Sequence, residues 1–548
     1  MPSITINEQT YDFDQGQTIL QIALDHDLPI PHYCYHPELS IPANCRICLA
    51  EVWAPNPRNE GKLESMGKLL PTCQTHAQDG QVVYTESPKA IANQKAVMEY
   101  LLINHPVDCP VCDQAGECYL QDYAYQYGRG QSRFTEDKIK QPKKDLGPHV
   151  LLYADRCIMC TRCVRFTREV TGTGELLVQG RGGHEEIDVF PGMALDNELS
   201  ANVIDICPVG ALLDKDFLFQ QRVWFLKRTA SIDGLTCSGD NISVEHNDGV
   251  VYRVKPRPNP FHKQWWITDE VRYGWKFVHA EERLRVPAIR GQDAFEMPEA
   301  GHAWEAAYHE ANALMRASKS MLVLVSPMLS CEDVWLLAQY ASSLDADVTF
   351  AVGPVPRHGE DKTFPSGYTS YAEKAPNARG VRRVLATFKN KIVEYESLLA
   401  HMASCPSIDL IFATGNYPSA WATEQLITGI GQDRKLILLD TLESQLSRRA
   451  DVLLPTATWV EKSGTFEDVH GRLQAFERAI EPIDYCKSEA QIAIDLLADL
   501  SGESLGYFNP ANVRERMAKV TGLEMFIKDV SLPVLDTSLD SDMELIEL

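Results

Sequence analysis

Alternating apolar residues open the chain. Ile4 and Ile6 are separated by polar residues, and a second short run follows at residues 11–13. This period of two predicts two half-buried strands. Thr18 then precedes an apolar stretch of helical spacing and has Gln21 three residues later, which is the pattern of a helix capping box. We therefore predict a strand, turn, strand, helix order here.

A second helix signal begins at Ser87-Pro88, where serine serves as the N-cap and proline as the first helical residue. The apolar positions that follow at helical spacing are Ile91, Val97, Leu101 and Leu102. His105-Pro106 should stop the helix. We predict that this helix carries His105 to the cysteine loop that follows.

The hydrophobic pattern of the sequence changes beyond about residue 285, where short apolar runs alternate with stretches of helical spacing. The runs are MLVLV from Met321, DVTFAV from Asp347, DLIFAT from Asp409 and KLILLD from Lys435. This rhythm is typical of a parallel α/β sheet with buried strands. No run approaches the roughly 18 residues that would span a bilayer, so we expect no membrane-spanning segment.

Composition places the chain among multidomain globular proteins. It has 548 residues, 44% of them hydrophobic and 23% charged. The net charge of -24 argues against nucleic acid or an anionic membrane surface as a partner. The start, MPSITINEQTYDFD, lacks the features of a signal peptide, so we expect a cytoplasmic protein with reduced thiols.

Cysteines are concentrated in the first part of the chain: twelve of the fifteen lie in the first 240 residues. In a reducing compartment, a dense and patterned set predicts metal or cluster ligation and not disulfides. The three later cysteines, Cys331, Cys405 and Cys486, are predicted to be core residues.

The first candidate ligand set is Cys34, Cys45, Cys48 and Cys73. Four thiolates, three in one loop and one from a later segment, suit a [2Fe-2S] cluster. The gap between Cys34 and Cys45 is wider than in plant-type ferredoxins. A four-cysteine zinc knot is the alternative, and the ferredoxin-like strand and helix pattern upstream favours the cluster.

The second candidate set is His105, Cys109, Cys112 and Cys118. Three thiolates and one imidazole would bind a [4Fe-4S] cluster, and imidazole would change its potential. The same residue types also form a common structural zinc site. A histidine before proline could also serve only to cap the helix.

The third candidate set combines the CxxCxxC trio Cys157, Cys160 and Cys163 with the later Cys207, which proline follows. This spacing is typical of a [4Fe-4S] ferredoxin. Thr167 stands where a two-cluster ferredoxin would have a further cysteine. We therefore predict a single [4Fe-4S] cluster in this module.

Other motifs indicate no chemistry. The glycine-rich stretches from Gly172 and Gly429 do not match a dinucleotide fingerprint, and no Walker A sequence, nucleophile elbow or HExxH occurs. Arg156, Arg162 and Arg165 are predicted to be core and subunit contacts. We predict no catalytic residue on this chain, which would pass electrons on without transforming a substrate.

Four long stretches resemble the large iron-sulfur subunit of respiratory complex I, NADH:quinone oxidoreductase. They are PHYCYHPELSIPANCRICLAEV from Pro31, NHPVDCPVCDQAGECYLQD from Asn104, DRCIMCTRCVRF from Asp155 and LDNELSANVIDICPVGALLDKDF from Leu195. The resemblance extends from residue 1 to about 480. It implies that His105 is a cluster ligand, which favours the cluster over zinc at the second set.

The resemblance implies a multidomain α/β and α+β fold. The predicted order is a β-grasp [2Fe-2S] ferredoxin domain (1–84), a helical segment with the one-His, three-Cys site (85–127), a linker (128–148), a [4Fe-4S] ferredoxin-like domain (149–225), a degenerate fourth-cluster region (226–284) and a shortened molybdopterin-oxidoreductase-like α/β domain (285–548). In the degenerate region, Asp233, Thr236, Asp240 and Thr268 stand where relatives carry cysteines, and Cys237 is out of register.

The last domain shows no recognisable molybdenum ligand. ADVLLPTATWVEKSGTFEDVHGRLQ from Ala450 resembles the end of a molybdopterin fold, where we expect Gly464, Gly471 and Arg472 to serve turns and packing. We expect no molybdopterin, FMN or NAD on this chain. The acidic tail from Ser531 should be extended or docked onto a partner.

By resemblance, electrons would enter from a flavin subunit that oxidises NADH, reach the [2Fe-2S] cluster, cross the [4Fe-4S] clusters of Cys157 and then His105, and leave toward quinone. The partners implied are the other peripheral-arm subunits of complex I, on the cytoplasmic side of a bacterial inner membrane and attached to it only through those subunits. The alternatives are an electron-transfer subunit of an NAD-linked hydrogenase or formate dehydrogenase, and a zinc-binding assembly scaffold.

Overall fold

A computed structural model of the chain describes residues 1–259, 265–291, 295–296 and 302–533. The chain forms two compact units: residues 1–226 with 364–368 make the first, and residues 227–363 with 369–548 make the second. Among the described helices, none is both long enough and apolar enough to cross a bilayer.

The first unit begins with a five-stranded sheet that grips one helix. Its strand order is Gln9–Asp12, Ser3–Ile6, Gln81–Tyr84, Leu49–Asn56 and Lys62–Pro71. Ser3–Ile6 runs parallel to Gln81–Tyr84, and the other neighbours are antiparallel. The helix Ile19–Asp25 begins at the predicted capping box, in which the Thr18 hydroxyl accepts from the amide of Gln21. The expected β-grasp arrangement is confirmed.

The helix that begins at Pro88 differs from the prediction in its end and in its buried face. Ser87 caps it as expected, with its hydroxyl accepting from the amide of Ala90 at 3.3 Å. The helix spans Pro88–Leu102, so His105 lies in the following segment and not on the helix. Its buried residues are Ala90, Gln94 and Met98. The predicted apolar stripe, which includes the exposed Ile91, is not the buried face.

Short elements make up the rest of the first unit. The helices are Tyr119–Tyr127, Arg162–Arg165 with a π-helical continuation Phe166–Val170, and Asn202–Asp205. The strands Lys143–Asp145, Val150–Tyr153 and Leu212–Asp214 form an antiparallel sheet, and Leu176–Gln179 pairs with Glu186–Val189. Lys143–Asp145 lies in the segment predicted to be a linker, so part of that segment is paired backbone.

The second unit is built on an eight-stranded sheet. Its order is Phe295–Glu296, Ala288–Arg290, Val452–Pro455, Lys435–Asp440, Leu410–Thr414, Ser320–Val325, Asp347–Val352 and Lys391–Val393. The six strands from Val452–Pro455 to Lys391–Val393 run parallel to one another, and the first two strands of the order are antiparallel additions at the edge. Met321 and Val323 belong to the core on one face, and Leu322 and Leu324 to the core on the other. Burial on both faces explains the continuous apolar runs and confirms the predicted α/β sheet.

Helices and three small sheets complete the second unit. The helices are Asp269–Tyr273, Ala303–Ala317, Cys331–Ser342, Ala378–Leu385, Tyr395–Ser404, Glu424–Ile430, Gln445–Arg449, Glu489–Ser501, Pro510–Met517 and Met525–Lys528. The small sheets are Lys227–Ile232 with Asn241–Asn247 and Val250–Pro256, Lys362–Thr363 with Thr369–Ser370, and Gly464–Glu467 with Leu473–Phe476 and Val530–Ser531. Of the acidic tail predicted from Ser531 onward, only residues 531–533 are described, and the rest lies outside the described residues.

Candidate iron-sulfur sites

The first predicted ligand set lies in the loop after the N-terminal helix and at the end of the edge strand of the sheet. Cys34, Cys48 and Cys73 are buried, and Cys45 is half-buried. The Thr72 hydroxyl donates to the carbonyl oxygen of Cys48 at 3.0 Å, which fixes Cys73 beside that loop. The Cys73 sulfur lies in the electrostatic field of the other three. The structure thus brings the four predicted ligands together.

The thiols of this set interact in two pairs. A hydrogen bond between Cys34 and Cys45 lowers the pKa of Cys45 to about 5 and raises the pKa of Cys34. A second bond between Cys73 and Cys48 lowers the pKa of Cys48 and raises that of Cys73. Because the thiolate is the form that binds a metal, the hydrogen bond in each pair shifts one sulfur toward its ligand form.

The second predicted set lies between two helices of the first unit. Cys109 begins a 3₁₀ turn, Cys112 ends it, and Cys118 is the N-cap of the helix that follows. Burial, helped by the charge of Arg156, lowers the pKa of His105 to about 4. The imidazole is therefore neutral at physiological pH, which is the form that ligates metals. The Cys112 sulfur interacts electrostatically with Arg156, as His105 does, and with Cys109. These candidate ligands therefore lie near one another.

A glycine from the third module lies against the second set. A Cβ atom at Gly210 would come within 2.2 Å of the Cys112 sulfur and 3.1 Å of Gln114. The amide of Gln114 points at the Cys112 sulfur, and amides of the following helix point at the Cys118 sulfur. Amides directed at sulfur are among the features that tune iron-sulfur clusters.

The third predicted set is also brought together. Cys160 and Cys163 are buried, and Cys157 and Cys207 are half-buried. Burial raises the pKa of all four thiols, to about 11 for Cys207. The Cys163 sulfur lies in the field of the other three. Burial and the neighbouring sulfurs disfavour the thiolate form here, and iron would stabilise that form by binding it.

Left-handed backbone conformations shape the first and third loops. Ala43 and Arg46 have φ of 49° and 56°, and Met159 and Thr161 have φ of 53° and 62°. Such values are uncommon outside glycine and place backbone amides so that they can surround an anion. The Met159 amide accordingly donates to the Cys157 sulfur at 3.4 Å. Nothing in the sequence signals these conformations, because none of the four residues is glycine or asparagine.

Three arginines near the third set are buried, as predicted, but they also bind the loops that carry the candidate ligands. Arg156 forms an ion pair of 3.1 Å with Asp108, between His105 and Cys109. Arg162 and Arg165 donate to backbone carbonyls of the first and third loops. From the sequence, no role at the sites was predicted for these arginines. Three arginines around a CxxCxxC motif in an acidic chain could have indicated such a role.

The donor sets fit anionic iron-sulfur clusters. The Nε atoms of Arg156 and Arg162 are buried and have no hydrogen-bond partner among the described residues. Orphaned buried donors are rare in folded proteins, and a cluster with thiolate ligands would supply acceptors nearby. Within the described ranges, no three His, Cys, Asp or Glu side chains are close enough to hold one metal ion. Cluster ligands bind different iron atoms and do not need to converge on one point.

A cavity of about 560 Å³ lies among the three sets. It is lined by one predicted ligand of each set, Cys45, His105 and Cys157, together with Asn44 and Met159. The Asn44 side chain donates to the Met159 carbonyl oxygen at 3.3 Å, which ties the first loop to the third. The candidate sites therefore form one continuous region of the first unit.

The region predicted to be degenerate holds a buried polar network. Asp233 is fully buried and accepts hydrogen bonds from the amide of Leu235 at 2.8 Å, from Thr236 and from the Ser238 hydroxyl at 2.9 Å. Burial nevertheless raises the pKa of Asp233 to about 6. Thr268 caps a helix by accepting from the amide of Val271.

The remaining predictions concern the second unit. Cys331 and Cys486 are buried in the core as expected, and Cys405 is half-buried and packs against the core of one face of the sheet. Gly464 packs against Ser330, where a Cβ atom would come within 2.4 Å. Gly471 has φ of 77° in a turn, beside Arg472, whose Nε donates to Asp468 at 2.6 Å. The turn and packing roles predicted for these residues are confirmed.

Profiles of four protein families match successive parts of the chain. The "2Fe-2S iron-sulfur cluster binding domain" covers 2–88, the "NADH-ubiquinone oxidoreductase-G iron-sulfur binding region" covers 94–133, the "NADH-quinone oxidoreductase subunit 3, ferredoxin-like domain" covers 147–213, and "Molybdopterin oxidoreductase" covers 377–499. Both the predicted fold class and the two types of cluster-binding domain are thereby confirmed.

Individual relatives carry matching names. The NADH-quinone oxidoreductase G subunit of Rickettsia conorii is 28% identical over 95% of this chain and 90% of its own length. The G subunit of Rickettsia felis is 39% identical over 53% of this chain and 41% of its own length. The mitochondrial NADH dehydrogenase [ubiquinone] iron-sulfur protein 1 of Solanum tuberosum is 44% identical over 51% of this chain and 36% of its own length. The chain thus spans about two fifths of the latter two relatives.

Among solved structures, a chain of the NAD+-reducing [NiFe]-hydrogenase in the H2-reduced state is 31% identical over 40% of this chain and 91% of that chain, with a TM-score of 0.36. The three iron-sulfur family profiles follow one another along the chain in the same order as the three cysteine sets. The chain is thus similar to the large iron-sulfur subunit, the G subunit, of NADH-quinone oxidoreductase.

Proposed function

We propose that this chain relays electrons within an NADH:quinone oxidoreductase, between a flavin subunit that oxidises NADH and the subunits that reduce quinone. The observation that carries the proposal is the grouping of the twelve candidate ligands in three sets, each of which contributes one residue to the lining of the same cavity. The relatives described above are named as subunits of this oxidoreductase, which supports the same assignment. The chain would be an enzyme subunit without a complete active site of its own.

We assign one cluster to each ligand set. The proposed ligands are Cys34, Cys45, Cys48 and Cys73 for a [2Fe-2S] cluster, His105, Cys109, Cys112 and Cys118 for a [4Fe-4S] cluster, and Cys157, Cys160, Cys163 and Cys207 for a second [4Fe-4S] cluster. The proposal includes no molybdopterin, FMN or NAD on this chain. The second unit would serve as a scaffold.

The clusters, when bound, would supply one-electron oxidation and reduction. The residues of the first unit would hold the thiolates in buried or half-buried positions. His105 is held neutral by burial, so it can contribute an uncharged ligand in place of a thiolate. Amides around Cys112, Cys118 and Cys157 supply hydrogen bonds to sulfur.

The proposed partners follow from this role. One is the flavin- and NADH-binding subunit, and the others are downstream iron-sulfur and quinone-site subunits of the peripheral arm. The chain would lie on the cytoplasmic side of a bacterial inner membrane and contact that membrane only through these subunits. Its net charge of -24 disfavours a direct contact with anionic lipid or with nucleic acid.

The test is to measure iron, acid-labile sulfide and zinc per chain on anaerobically purified protein, with electron paramagnetic resonance of the dithionite-reduced sample. We expect about ten irons per chain, from one two-iron and two four-iron clusters, and signals of both cluster types. Near-stoichiometric zinc with little iron would contradict the proposal and favour the zinc scaffold. A complex isolated with hydrogenase or formate dehydrogenase activity would favour the other alternative.

A further inference from the structure

Arg165 joins the loops of the first and third ligand sets. One terminal nitrogen donates to the carbonyl oxygen of Cys34 at 2.6 Å and to that of Cys160 at 3.3 Å. The other terminal nitrogen donates to the carbonyl oxygen of Ser40. A single guanidinium thus contacts the backbone of one proposed [2Fe-2S] ligand and one proposed [4Fe-4S] ligand. The residue is 8% exposed, so water does not compete strongly for these bonds.

Arg162 makes a second connection between the same two sets. It donates to the carbonyl oxygen of Tyr35, next to Cys34, and to that of Ile206 at 3.2 Å, next to Cys207. The two arginines lie on one short helix, Arg162–Arg165, and contact the first loop at neighbouring positions. Together they hold the two loops in a fixed relation.

Both guanidinium groups carry a charge that no contact among the described residues neutralises. Among the described residues, neither Arg162 nor Arg165 has a carboxylate within ion-pair distance, whereas Arg156 is paired with Asp108. Glu169 contributes to the field at Arg165, but its two oxygens accept hydrogen bonds from the amide and hydroxyl of Ser40. Buried charge without a counter-charge is costly, which indicates that an anion belongs beside this pair.

We propose that Arg162 and Arg165 are positioning residues that hold the [2Fe-2S] site of Cys34 against the [4Fe-4S] site of Cys160, and that their charge raises the reduction potential of both. The proposal rests on the proposed function above. Each transfer moves one electron: one centre is oxidised by one electron, the other is reduced by one, and no bond to arginine forms or breaks. A nearby positive charge stabilises the form that holds the additional electron.

The two contributions of the pair are separable by substitution. Arg165→Met removes both the charge and the bridging bonds, whereas Arg165→Lys keeps the charge but cannot span the carbonyl oxygens of Cys34, Ser40 and Cys160 with one planar group. Arg162→Lys is the corresponding conservative change at the second connection. Arg168, which is exposed on the π-helical continuation of the same helix, offers Arg168→Met as the matched control.

The experiment is an anaerobic redox titration of the full chain, followed by electron paramagnetic resonance, for the wild type and these four variants. For Arg165→Met we expect the ratio of reduced to oxidised centre to fall about tenfold at a fixed ambient potential, which is about 59 mV for one electron. The lysine variants should keep the wild-type ratio. They should instead weaken the relaxation enhancement of the [2Fe-2S] signal by its reduced neighbour, because the loops are no longer held together. Arg168→Met should change neither property.

The outcomes separate this proposal from the function on which it rests. If the wild type shows no iron-sulfur signals, the proposed function fails. If the wild type shows both signals, but the potentials and relaxation of all Arg162 and Arg165 variants equal those of Arg168→Met, only the positioning role is overturned. Should Arg165→Met lose its clusters, the relaxation measurement on the two lysine variants decides between support and rejection.

Discussion

The imidazole of His105 differs from the other candidate ligands in its charge. It is neutral at physiological pH because burial lowers its pKa to about 4, and a neutral ligand leaves a cluster one charge less negative than a thiolate does. For His105→Cys we therefore expect a cluster that remains bound with a lower midpoint potential. An anaerobic titration followed by electron paramagnetic resonance measures the shift.

The matched control for this substitution lies next to it in the chain. Asn104→Cys places a thiol at an exposed position of the same loop, one residue away from the proposed ligand position. We expect its titration to match the wild type. A His105→Cys variant with an unchanged potential would remove His105 from the ligand set.

Asp233 makes the stability of the second unit depend on pH. Its folded pKa of about 6 lies above the ordinary 3.8, so the folded state binds this proton more tightly than the unfolded state. The contribution of Asp233 is therefore most favourable below pH 4 and is lost as the pH rises through 6, by about 3 kcal/mol at 1.36 kcal/mol per unit.

The comparison of urea midpoints at pH 4 and pH 7 tests this effect. We expect Asp233→Asn to lose less stability than the wild type over that interval, because the amide does not titrate. Asp248→Asn, at an exposed turn position with φ of 47°, is the control and should follow the wild type. Parallel curves for the wild type and Asp233→Asn would contradict the raised pKa.

The candidate ligands could be predicted from sequence because each is a rare residue type at a diagnostic spacing. The arginines were harder to interpret, since their partners are backbone carbonyls such as those of Cys34 and Ser40, which no side-chain pattern reveals. The left-handed residues Ala43 and Met159 were not predictable either. Their conformations depend on the folded loop and not on an intrinsic preference.

At the scale of elements, a buried lysine links two helices of the second unit. Lys462 Nζ lies 3.0 Å from Asp333 and 2.5 Å from Glu489, and both carboxylates lie in the first turn of a helix. Lys462→Met would leave two buried carboxylates without their cation. We expect a loss of about 3–5 kcal/mol in the free energy of unfolding, measured by urea denaturation.

An exposed ion pair in the same unit provides the control. Lys435 contacts Asp451 at 3.1 Å, but its side chain is 57% exposed. Lys435→Met should cost less than about 1 kcal/mol, because surface pairs contribute little. Equal losses for the two variants would mean that burial of Lys462 does not matter to stability.

The contact between the third module and the second ligand set gives a further prediction. Gly210→Ala would place a Cβ atom 2.2 Å from the Cys112 sulfur, so the module must shift or the sulfur must move. We expect a weakened or altered signal from the His105 cluster, with the [2Fe-2S] signal unchanged. Electron paramagnetic resonance of the reduced protein distinguishes the two.

Gly130→Ala is the control for this change, because a Cβ atom there meets nothing within 4 Å. Its spectrum should be that of the wild type. If Gly210→Ala and Gly130→Ala gave the same spectrum, the close packing at Cys112 would have no bearing on the cluster.

The sequence predicted some helices and strands better than others. The parallel strands were predictable because residues such as Leu322 and Val323 face two separate cores, which requires an unbroken apolar run. The helix Pro88–Leu102 was harder, because its buried face carries Gln94. Gln94 donates to the carbonyl oxygen of Thr85 at 3.2 Å, so its side chain can be buried with a hydrogen-bond partner. A prediction based on apolar residues alone does not recognise such a buried face.

At the scale of the whole molecule, the proposed metal sites all lie in the first unit. Metal binding contributes directly to folding free energy where ligands are brought together by the fold. We therefore expect that removing iron with a chelator deprotects amides of the first unit, while the eight-stranded sheet of the second unit keeps its protection. Hydrogen exchange followed by mass spectrometry on the full chain measures both.

The control is a comparison of exchange rates within one preparation, before and after iron is removed. Residues 227–259, which include the region predicted to lack a cluster, should exchange equally in both forms. Deprotection there, or in Ser320–Val325, would contradict the assignment of all clusters to the first unit.

The arginine pair also bears on how this interface can change during evolution. Arg162 and Arg165 bind carbonyl oxygens of Tyr35, Ser40 and Ile206, and every amino acid supplies that acceptor. The residues at those partner positions can therefore be substituted during evolution without loss of these hydrogen bonds. Methods that infer contacts from correlated substitutions would miss this connection, even though it joins two loops more than a hundred positions apart.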